Sequence, residues 1–126
     1  MFLITSNKPK QLLLMSFIGR VKAEELTKAR PNLAALLADL SPGFVLVTDL
    51  ERVESFGVGC DLEIGKNMDL VDSKDVGLVV RVIPDPSKDI GMNILGAFHY
   101  SKHRRIVGCE SIIEVAKFLP PLKPNN

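Results

Sequence analysis

The residues whose types and spacing could do chemistry fall into a few small groups. Cys60 and Cys109 are placed by the pattern near the carboxyl ends of strands or the start of a following helix, where a thiol pKa can drop. Neither has a CxxC partner, and His99 and His103 fall at the other end of the strand that leads to Cys109. A Cys–His nucleophilic pair is therefore not expected, and the plainer reading is two small buried hydrophobes. Asp49, Glu51, Glu54 and Asp61 supply carboxylates for acid–base work only if burial drives their pKa values apart. Read as a loop, they are ordinary solvated acids, with Asp49 capping a turn.

A basic cluster, Lys102, His103, Arg104 and Arg105 with His99 and Tyr100 beside it, would suit a phosphate or an acidic partner. Anion contact would come from His103, Arg104 and Arg105; the alternative is a solvated turn whose cations complement a helix C-terminus. The histidines are one helical turn apart, but no carboxylate or cysteine stands at metal-ligand spacing beside them. Gly57-Val58-Gly59 lacks the third glycine of a dinucleotide fingerprint. Its amides could meet an anion at a helix start, or the glycines could simply allow a tight turn. No cofactor and no metal site is expected.

The elements that position these groups are legible from hydrophobic periodicity. Residues 11–19 (QLLLMSFIG) form a nearly continuous apolar run, as in a strand covered on both faces. The shorter apolar stretch 1–5 precedes it across the turn formers 6–10, which predicts an antiparallel hairpin. Residues 44–48 (FVLVT), 76–83 (VGLVVRVI) and 106–109 (IVGC) predict three more strands. Within 22–40, Leu26, Leu33, Leu36, Leu37 and Leu40 share one helical face, and Pro31 predicts a kink or two helical pieces. The stretch 58–68 predicts a second helix, with Val58, Leu62 and Met68 inward. Asp85-Pro86 suits the start of a third helix, with Ile90, Ile94, Ala97 and Phe98 as its stripe. Ser111 and Glu114 have capping-box spacing for a fourth, with Ile112, Ala116 and Leu119 inward and Pro120-Pro121 as its stop.

The order β-β-α-β-α-β-α-β-α requires parallel pairing and right-handed crossovers. The expected fold class is α/β: a four- to five-stranded, mostly parallel sheet with an N-terminal antiparallel hairpin strand and about four helices. A length of 126 residues fits one domain, 1–126, with 120–126 as a loose tail. Sixteen Lys and Arg against fifteen Asp and Glu leave a net charge of +1, so no bulk field directs the chain to nucleic acid or an anionic membrane. No apolar run approaches the ~18 residues of a membrane span, and the first residues lack a signal-peptide pattern. Two cysteines make no disulfide framework, so a reducing, cytoplasmic compartment is expected.

A buried strand ending in Val47-Thr48-Asp49-Leu50 and followed by Glu51-Arg52-Val53-Glu54-Ser55-Phe56 resembles the signature of STAS domains, the sulfate transporter and anti-sigma-factor antagonist modules. The likeness extends upstream to Ile18-Gly19-Arg20-Val21 and downstream to Ser111–Ala116, and covers about 11–119. The chain is similar in particular to small stand-alone bacterial STAS-like proteins, which also resemble the lipid-binding Sec14 fold. That resemblance implies a non-catalytic binding or regulatory module. Antagonists of the family carry a phosphorylated serine in an Asp-Ser-Ser-Gly stretch. Alignment from Asp49 puts Val58 at that serine, and Ser55 lies three residues early, so a phosphoryl switch does not carry over.

Ligands of open parallel sheets gather outside the carboxyl ends of the strands. The expected recognition surface is therefore 54–60, 84–89 and 109–111, with Glu54, Ser55, Phe56, Gly57 and Val58 as partner-binding residues. Phe56, exposed on that loop, would be the anchor. A protein partner is the first expectation, a small apolar or lipid ligand the alternative, and a small enzyme using Cys60 or the Asp49–Asp61 acids the third. An exposed edge strand would also permit a homodimer.

Overall fold

Two strands open the structure, a computed structural model that describes residues 1–83, 97, 98, 100 and 104–119. The first, β1 (Phe2–Asn7), pairs antiparallel with β2 (Leu12–Val21), in register from Phe2↔Phe17 to Asn7↔Leu12. The connection is held locally: Asn7 Oδ1 accepts from the Lys10 amide at 3.1 Å, and the Gln11 amide donates to the Lys8 carbonyl at 3.0 Å. The predicted hairpin is thus present, with β2 longer than expected.

Helix α1 (Ala23–Ala38) follows at once. Glu25 Oε2 accepts the Lys22 amide at 2.8 Å, which satisfies a donor that the first turn leaves open. Of the two expectations, a kink or two helical pieces, the second is not met: Pro31 lies inside a single helix. Tertiary contacts override the local preference, because Arg30 is tied to the next helix through Asn67 Oδ1 at 2.8 Å and through Glu63. Pro31 and Thr27, whose carbonyl is left without its donor, are both exposed, so water can take that carbonyl up.

Strand β3 (Val45–Phe56) is the largest departure from expectation, since the pattern ended it at Thr48. Asp49, Glu51 and Glu54 are therefore strand residues and not loop acids. The register with β2 shifts between Ser16/Ile18 and again between Gly19/Arg20. In the first shift β3 advances from Asp49 to Arg52 while β2 advances from Ser16 to Ile18. That bulge inserts one residue, so Leu50 and Val53, both buried, reach the same core although they are not at period-two spacing. Asp49 Oδ1 accepts the Glu51 amide at 3.0 Å within it.

Helix α2 (Cys60–Ser73) then leads to β4 (Leu78–Val82), and β5 (Arg105–Cys109) closes the sheet. The strand order is β1-β2-β3-β4-β5, parallel from β2 onward. An order that never reverses, with right-handed crossovers, puts α1 and α2 on one face of the sheet. Their side chains join Leu13, Met15 and Phe17 of β2 and Leu46 and Leu50 of β3 in the main core. In α2 the buried residues are Cys60, Ile64, Asn67, Met68, Val71 and Asp72, so the expected stripe is rotated. Val58 precedes the helix fully exposed and Leu62 is 68% exposed. The helix predicted after Asp85-Pro86 lies outside the described residues; Ala97 and Phe98 of its stripe are buried in the main core.

The predicted C-terminal α-helix is instead a 3₁₀-helix, Ile112–Phe118. Ser111 makes no side-chain cap, and its carbonyl accepts the Glu114 amide at 3.1 Å, a one-turn 3₁₀ closure. Leu119, next to Pro120, is already extended (φ −84°, ψ 142°), as a residue before proline prefers. A three-residue period turns Val115 inward and leaves Ile112 and Ala116 exposed, so of the expected Ile112, Ala116 and Leu119 only Leu119 packs against the sheet. This short element covers the second face of the sheet, where Val45, Val47, Val80, Val82 and Cys109 form a smaller core.

Candidate functional site

The turn from β3 to α2 carries most of the candidate partner-binding residues. Glu54 and Ser55 are exposed at the end of the strand, Glu54 lying 4.0 Å from Arg20 across a solvent-facing pair. Phe56 is not the exposed anchor expected: it is half-buried against Phe17, with ring centroids 5.6 Å apart. Its ring pins the turn to the core. The Gly57 amide donates to the Val21 carbonyl at 2.8 Å, which fixes the start of the turn to the end of β2. Gly59 has φ 87°, a left-handed conformation that costs glycine little. Between these two fixed glycines Val58 stands entirely in solvent. Beside it a cleft of about 310 Å³ opens between α1 and α2, lined by Ala23, Thr27, Lys28, Gly59, Leu62 and Glu63 among others.

Of the rest of the expected surface, 109–111 do not join this turn, since Cys109 pairs with Val82. Beyond Asp49, which pairs with Val82, β3 continues to Phe56 paired with β2 alone. At about 3.3 Å per residue that sets the turn roughly 20 Å past the last residue of β3 that pairs with β4. Residues 84–89 of that surface lie outside the described residues.

Both thiols are buried and unbridged. Burial pushes the Cys60 thiol above its ordinary value, outweighing the hydrogen bond from Gly57, and its Sγ donates to the Val21 carbonyl at 3.4 Å. Burial also raises Cys109, helped by the carboxylates of Glu114, Asp49 and Glu51. Neither is the exposed, electropositive thiol that nucleophilic chemistry needs. Among the described residues no group of three His, Cys, Asp or Glu is placed to hold a metal ion.

Of the basic cluster, His103 lies outside the described residues and Arg105 is exposed on β5. Arg104 is committed internally: Nε meets Asp72 Oδ1 at 2.8 Å, Nη2 meets Asp75 Oδ1 at 3.4 Å, and Nη1 meets the Val76 carbonyl at 3.2 Å. It thereby ties the end of α2 to the start of β5. A third guanidinium escaped the sequence reading. Arg81 sits on β4 opposite Thr48 of β3, and its signal was a lone charge inside the apolar run VGLVVRVI.

No protein-family model matches the chain, and a search of curated proteins finds no match. Solved structures do. One is an uncharacterized protein of the DUF3478 family with a SpoIIAA-like fold from Shewanella loihica PV-4, with a TM-score of 0.68 at 15% identity, over 95% of this chain and 93% of that one. Another is the anti-sigma factor antagonist SpoIIAA in its unphosphorylated form, with a TM-score of 0.62 at 10% identity, over 94% of this chain and 96% of that one. The chain has this SpoIIAA-like, STAS-type fold. No helix among the described residues is long and apolar enough to cross a membrane.

Proposed function

We propose that the chain is a non-catalytic STAS-like regulatory module that binds a protein partner through Glu54, Ser55, Phe56, Gly57 and Val58. The observation that carries this reading is Val58, an aliphatic side chain fully exposed on a turn fixed at both ends. A rigid exposed residue loses little entropy on binding, and Leu62 with the cleft behind it offers adjoining apolar surface. Phe56 acts as the pin and Val58 as the contact. Valine has no hydroxyl to phosphorylate, so partner choice is not switched by a phosphoryl group at this position. A cytoplasmic location belongs to the same reading.

The test is co-purification from the native host, comparing the wild type with Val58→Asp and with Ile113→Asp. Ile113 is 83% exposed on the 3₁₀-helix and serves as the control. A partner retained by the wild type and Ile113→Asp but lost with Val58→Asp is the expected result. Equal retention by all three, or no partner at all, would refute the assignment.

A second reading, binding of a small apolar ligand, is favoured by a cavity of about 230 Å³ on the other face, lined by Leu12, Leu14, Val47, Ile112, Val115, Ala116 and Leu119. Native mass spectrometry of the purified chain would show a co-purified mass that Leu14→Arg abolishes; absence of any added mass would count against it.

A further inference from the structure

Strand β1 ends the sheet on its side, and among the described residues β2 is its only strand neighbour. Met1 and Ile18 exchange both backbone bonds: the Ile18 amide donates to the Met1 carbonyl at 2.8 Å, and the Met1 nitrogen donates to the Ile18 carbonyl at 2.6 Å. Hydrogen-bonded and non-hydrogen-bonded pairs alternate along an antiparallel ladder. The register therefore turns the backbone groups of Leu3, Thr5 and Asn7 toward β2 and those of Phe2, Ile4 and Ser6 away from it. The outer edge of β1 presents three amides and three carbonyls that no described strand takes up.

Natural sheets blunt such an edge with charge, proline or a bulge. β1 has none of these: FLITSN is uncharged, holds no proline, and pairs with β2 in unbroken register. β5, at the opposite edge, opens with the exposed charge of Arg105. The side chains of β1 are also incompletely covered. Phe2 and Ile4 are only partly buried against the main core, and Leu3 is 47% exposed. A docked strand satisfies the outward backbone groups and covers these side chains in one step.

We propose that this edge binds a second copy of the chain, β1 pairing antiparallel with β1 about a two-fold axis at Ile4. A two-fold contact brings residues close to their own copies, which penalises any charge, and β1 is neutral throughout. Centred on Ile4, the register sets Phe2 against Ser6 of the second copy and Ile4 against its own counterpart. All six outward groups are then used, and a shift in either direction leaves some of them unpaired. Leu3 faces Thr5 of the second copy, and this contact occurs twice. The two sheets become one continuous sheet. The pairing uses none of the residues of the β3–α2 turn and does not rest on the function proposed for it.

Sedimentation equilibrium of the full chain over a concentration series reads the association directly. The wild type should pass from the mass of one chain to that of two as concentration rises. Ser6→Pro removes one outward amide from each copy and leaves the bonds to β2 in place. It should weaken association roughly tenfold or more, through the two ladder bonds lost. Register is read by mixing a Leu3→Cys chain with a Thr5→Cys chain under oxidised glutathione. Facing residues of a non-hydrogen-bonded pair stand about 4.5 Å apart at Cα, within disulfide reach. Like residues lie diagonally at about 7–8 Å, beyond that reach. The mixture should therefore cross-link and neither variant alone should. Cys60 and Cys109 are buried and stay out of the exchange. A single-chain mass at every concentration would overturn the proposal. So would association that Ser6→Pro leaves unchanged, or a mixture that bridges no better than either variant alone. The mixing result decides even where Ser6→Pro fails to fold.

Discussion

The two faces of the sheet are built differently. On the helix face, twenty buried residues among those described join α1 and α2 to the sheet, with the Phe17 ring in tilted or edge-on contact with Phe2, Phe56 and Phe98 at 4.8, 5.6 and 5.5 Å. On the other face, among the described residues, five buried sheet residues lie under Val115 of the 3₁₀-helix, with an apolar cavity left beside Leu14 and Val47. The helix face is also cross-linked by charge: Arg30 bridges α1 to Asn67 and Glu63 of α2, and Arg104 bridges α2 to β5. The difference teaches a division of labour. One face holds most of the buried core, and the other is thinly covered.

Breaking the thick face should cost most. Phe17→Ala removes the ring at the centre of the aromatic cluster and should destabilise by about 3–5 kcal/mol, read from urea unfolding. A smaller loss than for an equivalent truncation on the opposite face would end the comparison. Next comes Arg104→Met. It removes the guanidinium that pairs with Asp72, 6% exposed, and should cost about 3 kcal/mol by the same measurement. On the thin face Val115→Ala removes two methyl groups from a buried site and should cost about 1.5 kcal/mol at ~0.8 per group.

The last effect is confined to acid. Arg30 first, then Thr27, hold the Glu63 carboxyl down from 4.5 to about 2. The unfolded chain therefore binds this proton before the folded one does. The stabilisation is complete above the ordinary carboxylate range and lost as pH falls from about 5 toward 2. Glu63→Gln should flatten that part of the acid limb in a pH series of urea midpoints and leave the alkaline side unchanged. An acid limb identical to wild type would show that the α1–α2 bridge contributes nothing there.

Much of the architecture was legible because its causes are local. Apolar runs bounded by turn formers announced the strands, and the leucine stripe announced α1. The candidate site was legible only in outline. The loop glycines marked the β3–α2 turn, but Phe56 and Val58 exchanged the roles expected of them, since which of two neighbouring apolar residues faces inward depends on the bulge before them. The weak stripe of α2 misled for the same reason, with Asn67 and Asp72 buried by partners on other elements.

By itself the sequence determined the α/β class, the antiparallel first pair and the succession of parallel strands, because periodicity and chain connectivity leave few alternatives. Only the tertiary structure decided the reach of β3, the 3₁₀ form of the last helix, and the uses of the two arginines. Register is a property of two strands, and a charge acquires its meaning from what is folded against it. Arg104 meets Asp72 and Asp75, whereas Arg81 meets Thr48 and Tyr100, a difference that no spacing along the chain records.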